Sequence, residues 1–363
     1  MSQIRELQPQ DIRAVADMFQ RVFRHVKTPA PGSLCDYLQD VFLDHPWYDP
    51  DIGARVYCDG DDVLRGFIGV YPLHMTHNDV PIRAAMLGSL MVEQPHDHPL
   101  AGARLLRSVI NGPQDLTLSE TANAQSRMMW EKLRGRTLPS YGMDWARILR
   151  PAAFTTQTLI KPAWLAAGFR PLSAISDPLA RWGLKRFIDI ETELHITARD
   201  VGLDFIADNL PELAADLPLR PGWDNQNLPW FLNHAKTKRD IGPLISRGVY
   251  DRADRLIGIY LYHGRRSGIA RVLQILALPG RHGAVITNLI DDADQRGCAG
   301  VIGKSHPHLL ESLLRHRAIL FRREATVAHS GKPELIAELE AGGGLIDGLA
   351  GERWSRLLGD QFE

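Results

Sequence analysis

A short polar turn joins two apolar patterns within residues 86–110, and the sequence could bind a ligand there. Residues 86–92 predict a buried strand. Residues 93–99 then hold two prolines and several polar residues, and an amphipathic helix follows with the stripe Leu105, Leu106, Val109 and Ile110. The first turn of a helix presents unpaired N–H groups and a partial positive charge, which suit a phosphate. Because every helix start has these groups, the turn either holds an anion or only connects two elements.

Two histidine pairs have the spacing of a partial metal site. His96 and His98 lie in this turn, and His306 and His308 flank a proline. A zinc site needs three or four ligands, and apart from Asp97 no carboxylate or cysteine lies at a suitable spacing. We therefore expect no metal site. The sequence also lacks a serine nucleophile elbow, a Walker loop and a Rossmann glycine fingerprint.

Length and composition are those of a globular protein larger than one domain. The chain has 363 residues, of which 44% are hydrophobic and 23% charged, so two domains are expected. A formal net charge of −1 gives no general attraction to nucleic acid or to an anionic membrane. No nucleic-acid partner is therefore expected.

Cysteine use and hydropathy give an expectation for the compartment. Cys35, Cys58 and Cys298 form no close pair, which is typical of a reduced compartment. The first residues lack an apolar signal core, and the chain has no run of about 18 apolar residues that could span a membrane. We expect a cytoplasmic protein without a membrane span.

Hydrophobic periodicity predicts alternating strands and helices in the first half. The expected strands are 4–8, 54–58, 63–71, 82–92 and 116–118, with an extended stretch at 137–149. The expected helices are 12–23, 34–42, 100–110 and 123–133. This order predicts a mixed α/β sheet with helices on both faces.

The same order of elements returns after a proline-rich and tryptophan-containing linker at 151–186. The expected strands are 188–196, 242–250, 255–262, 270–278 and 299–302, with an extended stretch at 320–329. The expected helices are 200–213, 229–234, 284–296 and 307–317. A repeated order of elements indicates two copies of one fold.

Three residue sets in the first half resemble the GCN5-related N-acetyltransferase superfamily. They are the opening strand and helix at 4–12, the strand, turn and helix at 87–106, and the helix at 123–135, which reads NAQSRMMWEKLRG. The second half matches by element order only. The resemblance implies two acyl-CoA N-acyltransferase-like domains, each with a mixed, mostly antiparallel sheet. Their expected ranges are 1–150 and 187–363, with the linker 151–186 between them.

The resemblance also implies a donor, acetyl-CoA or a longer acyl-CoA, whose pyrophosphate binds the turn before the third predicted helix. The residues that match the family's acyl-CoA site are Leu90, Val92, His98, Leu100, Ala101, Gly102, Ala103, Asn123, Ser126 and Trp130. His98 stands where the family has a basic residue. Pro99 has no N–H to donate, so the pattern departs from the family there.

Catalytic residues are less well matched. Many family members use a tyrosine hydroxyl on the last helix to protonate the leaving thiolate, but Trp130 stands at that position and has no hydroxyl. Tyr141 is the candidate substitute. Glu93 and Glu120, each at the end of a predicted strand, are candidate bases that could act directly or through water. The alternative is that both are ordinary carboxylates at helix starts.

The turn at 279–283 of the second half, PGRHG, falls where a second acyl-CoA turn would lie. We expect a non-catalytic second copy that shapes the substrate groove. The resulting hypothesis is transfer of an acyl group from acyl-CoA to an amine or hydroxyl of a small molecule or saccharide, by direct attack in a ternary complex. The alternatives are a catalytically inactive binding protein and an aminoacyl-tRNA-dependent transferase. Whether the chain forms a homodimer is left open.

Overall fold

The computed structural model describes residues 2–159 and 196–363, and its first half contains the predicted elements. The strands are β1 (Gln3–Glu6), β2 (Arg55–Cys58), β3 (Leu64–His77), β4 (Val80–Val92), β5 (Leu116–Ala122), β6 (Arg136–Thr137) and β7 (Asp144–Ile148). The helices are α1 (Ile12–Phe19), α2 (Gly32–Phe42), α3 (Ala101–Ile110), α4 (Ala124–Lys132) and α5 (Pro151–Leu159). The remainder of the predicted linker and most of the strand predicted at 188–196 lie outside the described residues.

The second half repeats this order. Its strands are β8 (Thr197–Asp200), β9 (Leu219–Pro221), β10 (Leu244–Tyr250), β11 (Leu256–His263), β12 (Ile269–Ala277), β13 (Gly300–Lys304), β14 (Ile319–Phe321) and β15 (Ala325–His329). Its helices are α6 (Leu203–Leu213), α7 (Leu228–Lys236), α8 (His282–Gln295), α9 (Leu310–Arg315) and α10 (Pro333–Ala341). The sequence analysis did not predict α10.

Two sheets organise the described residues. One has eight strands in the order β1-β2-β3-β4-β5-β15-β6, with β9 paired to β3, and the other has seven in the order β14-β7-β13-β12-β11-β10-β8. Only β4–β5 and β12–β13 are parallel pairs among the described strands. Each of these pairs is joined through a helix, α3 or α8, as a parallel connection requires.

The two halves exchange a strand. β7, from the first half, lies between β13 and β14 in the second sheet, whereas β15, from the second half, lies between β5 and β6 in the first sheet. Sheet membership therefore crosses the predicted boundaries at 150 and 187. The division of the chain into those ranges stays a prediction.

Helices cover both faces of each sheet because alternate strand residues face opposite sides. In β3, Phe67 packs in the cluster that holds α1 and α2, and its neighbour Ile68 packs with α3. In β11, Leu261 joins the first of these clusters, and Tyr260 packs with α8. The predicted mixed α/β class with two such sheets is confirmed.

Residues 342–363 follow α10 and form a buried tail between the sheets. Leu345, Ile346, Leu349 and Trp354 are at most 1% exposed and share one apolar cluster with Tyr71 of β3 and Ile259 of β11. The tail therefore belongs to the core of both halves. Within the described ranges, no helix has the length and apolarity needed to cross a membrane.

Candidate active site

The candidate site lies where β4 and β5 separate. The two strands pair only between Ala84–Met86 and Leu116–Leu118, and beyond those residues they diverge. A cavity of about 560 Å³ opens in the gap, lined by residues of β4, β5, α3, α4 and the tail. The parallel pair thus leaves the ends of both strands facing one open space.

A bulge in β4 exposes backbone to this cavity. Phe67 pairs with Met91 and Gly69 with Gly88, so Ser89 and Leu90 face a single residue of β3. Ser89 has φ = 55°, in the left-handed region. A bulge leaves its extra residue outside the regular ladder, and both Ser89 and Leu90 line the cavity. The bulged segment of β4 therefore forms part of the cavity wall.

The turn before α3 contributes only part of its predicted set. His98, Gly102 and Ala103 line the cavity, whereas Leu100 is 68% exposed and Ala101, the first residue of α3, is buried in the core. Within the described part of the chain, the backbone N–H groups of Gly102 and Ala103 have no backbone acceptor. Two free amides at a helix start suit a phosphate group.

The predicted residues at the other wall also come together. Asn123 caps α4, its side-chain Oδ1 accepting a hydrogen bond from the N–H of Ser126 at 2.8 Å. The predicted residues that line the cavity are Leu90, Val92, His98, Gly102, Ala103, Asn123, Ser126 and Trp130.

The three predicted catalytic residues lie elsewhere. Glu93 forms an ion pair with Arg21 and does not line the cavity. Glu120 is 1% exposed and its Oε1 accepts a hydrogen bond from the backbone N–H of Glu352 at 2.7 Å. The hydroxyl of Tyr141 is buried and accepts a hydrogen bond from the N–H of Gly344 at 3.0 Å. The contacts of Glu120 and Tyr141 anchor the tail.

Two carboxyl groups among the described residues do line the cavity, that of Glu324 and that of Glu352 of the tail. The Thr121 hydroxyl of β5 donates a hydrogen bond to the Oε1 atom of Glu352 at 2.5 Å. Its Oε2 lies so close to β4 that a Cβ atom at position 88 would overlap it, so any larger residue there would displace the Glu352 carboxyl group. Glu352 thus sits between the two diverging strands.

Burial among acidic groups gives Glu352 an unusual protonation equilibrium. Burial, together with the neighbouring carboxylates Glu120 and Glu324, raises the pKa of Glu352 to about 8, against the effects of the Thr121 hydroxyl and Arg353. Arg353 lies 3.5 Å from Glu120 Oε2 and 3.3 Å from Asp144 Oδ1. A carboxyl with a pKa near neutrality can accept and return a proton.

One rim of the cavity is apolar with a single cation. Phe19 and Phe23 line it together with Arg24, whose guanidinium also donates hydrogen bonds to the carbonyls of Leu357 and Asp360 at 3.3 and 2.5 Å. The tail is therefore fastened to the segment that follows α1 at this rim.

The second half contains a smaller cleft of the same design. β12 and β13 pair only between Ile269–Arg271 and Gly300–Ile302, and a cavity of about 240 Å³ lies where they diverge. Residues of the turn at 279–283 and of the tail line it, among them Pro279, His282 and Asp347.

Sequence reasoning did not find Glu352, Glu324 or Thr121. The only sequence signal for Glu352 was the segment GERWSRLLGDQ after the last helix. There, charged residues are mixed with apolar ones without the period of a helix or a strand. A mixture of this kind is typical of a surface loop, so it does not show that the tail is buried.

Among comparisons with known proteins, solved structures match the fold of this chain. No family model matches the sequence, and a search of curated proteins finds no match. Among solved structures, a protein of unknown function from Enterococcus faecalis V583 described as a probable N-acyltransferase matches with a TM-score of 0.57 and 9% identity over 91% of this chain and 73% of that one.

Two structures described as GCN5-related N-acetyltransferases match similarly. The protein from Kribbella flavida has a TM-score of 0.55 and 12% identity over 91% of this chain and 71% of that one. The protein from Anabaena variabilis has a TM-score of 0.57 and 12% identity over 92% and 74%. The chain therefore has the fold of the GCN5-related N-acetyltransferase superfamily.

Proposed function

We propose that the protein is an acyltransferase that moves an acyl group from acyl-CoA to an amine of a small molecule or saccharide in the cleft between β4 and β5. The observation that carries the proposal is the carboxyl group of Glu352, held by Thr121 between the diverging strands of a cavity of about 560 Å³. A hydroxyl acceptor is the alternative. An amine is favoured because the pKa of Glu352, about 8, is much nearer to that of an ammonium group than to that of an alcohol.

The donor would bind by its phosphates at the turn before α3. The free N–H groups of Gly102 and Ala103 would contact the pyrophosphate, with the half-exposed His98 at the side. The pantetheine arm would run between β4 and α4 toward Glu352. In this arrangement the thioester carbonyl oxygen would lie beside the bulge at Ser89 and Leu90, where a backbone N–H group would donate to it.

The chemistry would be direct attack in a ternary complex. The amine nitrogen bonds to the thioester carbon while the Glu352 carboxylate takes a proton from that nitrogen. The carbon–sulfur bond then breaks and the CoA thiolate leaves. The neutral Glu352 can return the proton to sulfur, so that the products are an amide and CoA. No tyrosine at position 130 is needed for this cycle.

The first test is a melting-temperature panel of acyl-CoAs, from acetyl to long chain, together with desulfo-CoA. A ligand at 100 times its dissociation constant adds about 2.7 kcal/mol, which shifts the midpoint by several degrees. Donors that shift it are then incubated with a panel of primary amines, and thiol release and amide mass are measured. We expect a shift with at least one donor and amide formation with at least one amine.

The structure provides a matched pair of variants for this test. Gly102 and Gly283 occupy equivalent first-turn positions in α3 and α8, and both have room for a Cβ. Gly102→Val narrows the first cavity and should abolish the donor shift, whereas Gly283→Val should leave it intact. A shift lost in Gly283→Val would move the donor site to the second copy.

Two other results would replace the proposal. Donor binding without amide or ester formation on any acceptor would favour a catalytically inactive binding protein. No shift with any CoA, together with a salt-dependent shift on adding aminoacyl-tRNA, would favour the transferase that uses a tRNA donor.

A further inference from the structure

The second cleft, between β12 and β13, has a chemistry of its own. Its cavity of about 240 Å³ is walled mainly by aliphatic side chains, including Leu213, Leu273, Leu276, Leu309 and Leu345. A dry apolar cavity of about 150 Å³ holds one benzene molecule. The second cleft therefore has room for one six-membered ring carrying a short chain.

The carboxyl group of Asp347 is the acidic group inside this cavity. Asp347 is 8% exposed and accepts a hydrogen bond from its own backbone N–H. No ion pair joins it to any residue in the described ranges, and no other hydrogen bond to its carboxyl group is found there. Burial raises the pKa of Asp347 to about 6, so the group is ionised at pH 8. Arg353 and Lys304 lower the pKa of Asp347 without contacting it, but a buried carboxylate without a cation in direct contact is costly, and an ammonium group in contact would lower that cost.

The other polar groups of the cavity are already engaged or uncharged. The ammonium of Lys304 donates to the carbonyl oxygen of Glu120 at 3.2 Å. Burial lowers the pKa of His282, His306 and His308, which keeps all three imidazoles neutral at pH 8. The Oε1 atom of Gln274 accepts the N–H of Leu349 at 3.0 Å.

The wall of the cavity also carries an exposed acidic group. Asp216 lines it and is exposed to solvent. A carboxylate at the surface and another inside favour entry of a cation over entry of an anion.

We propose that the second cleft is a binding site for a small primary amine whose apolar body is about one six-membered ring in size and whose ammonium pairs with Asp347. The site is separate from the first cleft, and its occupant is bound without chemical change. The aliphatic wall would contact the ring, and the carboxylate would select the cation.

The test uses three probes of nearly equal shape and different charge at pH 8: 2-phenylethylamine, 2-phenylethanol and 3-phenylpropionate. Calorimetric titration of the full-length protein should show the amine binding at least tenfold more tightly than the alcohol, and no binding of the carboxylate. Asp347→Asn should reduce amine affinity at least tenfold, because the shape is kept and the charge removed. Glu352→Gln, in the first cleft, should leave it unchanged.

Each contrary result would overturn a different part of this proposal. Equal affinity for amine and alcohol would overturn the role of Asp347, and unchanged binding in Asp347→Asn would overturn the site. Loss of binding in Glu352→Gln with retention in Asp347→Asn would place the amine in the first cleft. Should Asp347→Asn fail to fold, Leu217→Phe fills the half-buried side of the cavity and should abolish amine binding, whereas unchanged amine binding in this variant would overturn the site.

Discussion

The two clefts are built on the same plan and differ in what the tail does to each. In both, a parallel pair of strands diverges beside a helix start. In the first, the tail adds Glu352 and leaves about 560 Å³ open, whereas in the second it adds Asp347 and leaves about 240 Å³. Gly348, with φ = 65°, brings the tail against the backbone of β12 at Leu273. One tail segment therefore supplies a carboxyl group to each copy, and the second copy keeps the smaller cavity.

The surroundings of the two carboxyl groups explain their different pKa values. Burial raises both, but Arg353 and Lys304 counter it at Asp347, which keeps its pKa at about 6. At Glu352 the charges of Glu120 and Glu324 add to burial, and the pKa reaches about 8. The same fold thus presents an ionised carboxylate in one cleft and a proton-exchanging one in the other at neutral pH.

Removing the proposed base should have the largest effect on the difference between the two clefts. Glu352→Gln should reduce kcat by about 10²- to 10⁴-fold, because a positioned base contributes about that much. In the wild type, kcat/KM should rise with pH through about 8 as Glu352 loses its proton, and this limb should be absent in Glu352→Gln. Steady-state kinetics across pH 6–10 with one active amine measure both effects.

Glu93→Gln is the matched control, since Glu93 pairs with Arg21 and does not line the cavity. It should keep near wild-type kcat and the same pH limb. If Glu93→Gln lost activity while Glu352→Gln kept it, the base would be Glu93, and the tail would have only a structural role in the first cleft.

Each of the two carboxyl groups should also change the free energy of unfolding, over a different range of pH. A carboxyl whose pKa is raised by folding is bound to its proton more tightly in the folded state, so stability falls as pH rises from the unfolded pKa to the folded one. This loss should run from about pH 4 to 6 for Asp347 and from about pH 4 to 8 for Glu352.

Replacing either carboxyl group with its neutral amide should remove the corresponding loss of stability. Urea unfolding should show Asp347→Asn gaining about 3 kcal/mol over the wild type between pH 4 and 7, with no further gain at pH 9. Glu352→Gln should gain roughly 4–5 kcal/mol and continue to gain up to pH 9. Equal windows for the two variants would mean that the two environments do not differ as described.

Periodic segments of this chain could be predicted, and contacts between distant segments could not. The apolar run ending at Val92 and the stripe on α3 have the periods of a strand and a helix, so β4, the turn and α3 were placed within a few residues. Asn123 was recognised from a motif, and its side chain does cap α4. The local sequence pattern was sufficient to predict elements such as β4 and α3, whose structure depends mainly on neighbouring residues.

The exchange of β7 and β15 and the burial of the tail depend on long-range pairing. Asp144–Ile148 reads as an extended segment in either sheet, because its pattern does not say which partner it pairs with. Glu352 reads as a surface residue, since an isolated glutamate is usually exposed. Glu352 was therefore missed because its burial depends on contacts with remote segments, such as Thr121 of β5, which its local sequence does not indicate.

The smallest expected effect concerns the turn that departs from the family pattern. His98 is half-exposed at the edge of the first cavity, and His98→Arg would place a permanent cation there. An exposed ion pair contributes about 0.2–1 kcal/mol, so KM for the acyl-CoA should fall by about 1.4- to 5-fold and kcat should not change. Added salt should remove the gain, because exposed charges are screened over about 10 Å at 0.1 M.

Arg281→Ala, in the second copy's turn, should leave KM unaltered. An unchanged KM in His98→Arg, with a raised KM in Arg281→Ala, would assign the phosphates of the donor to the second cleft.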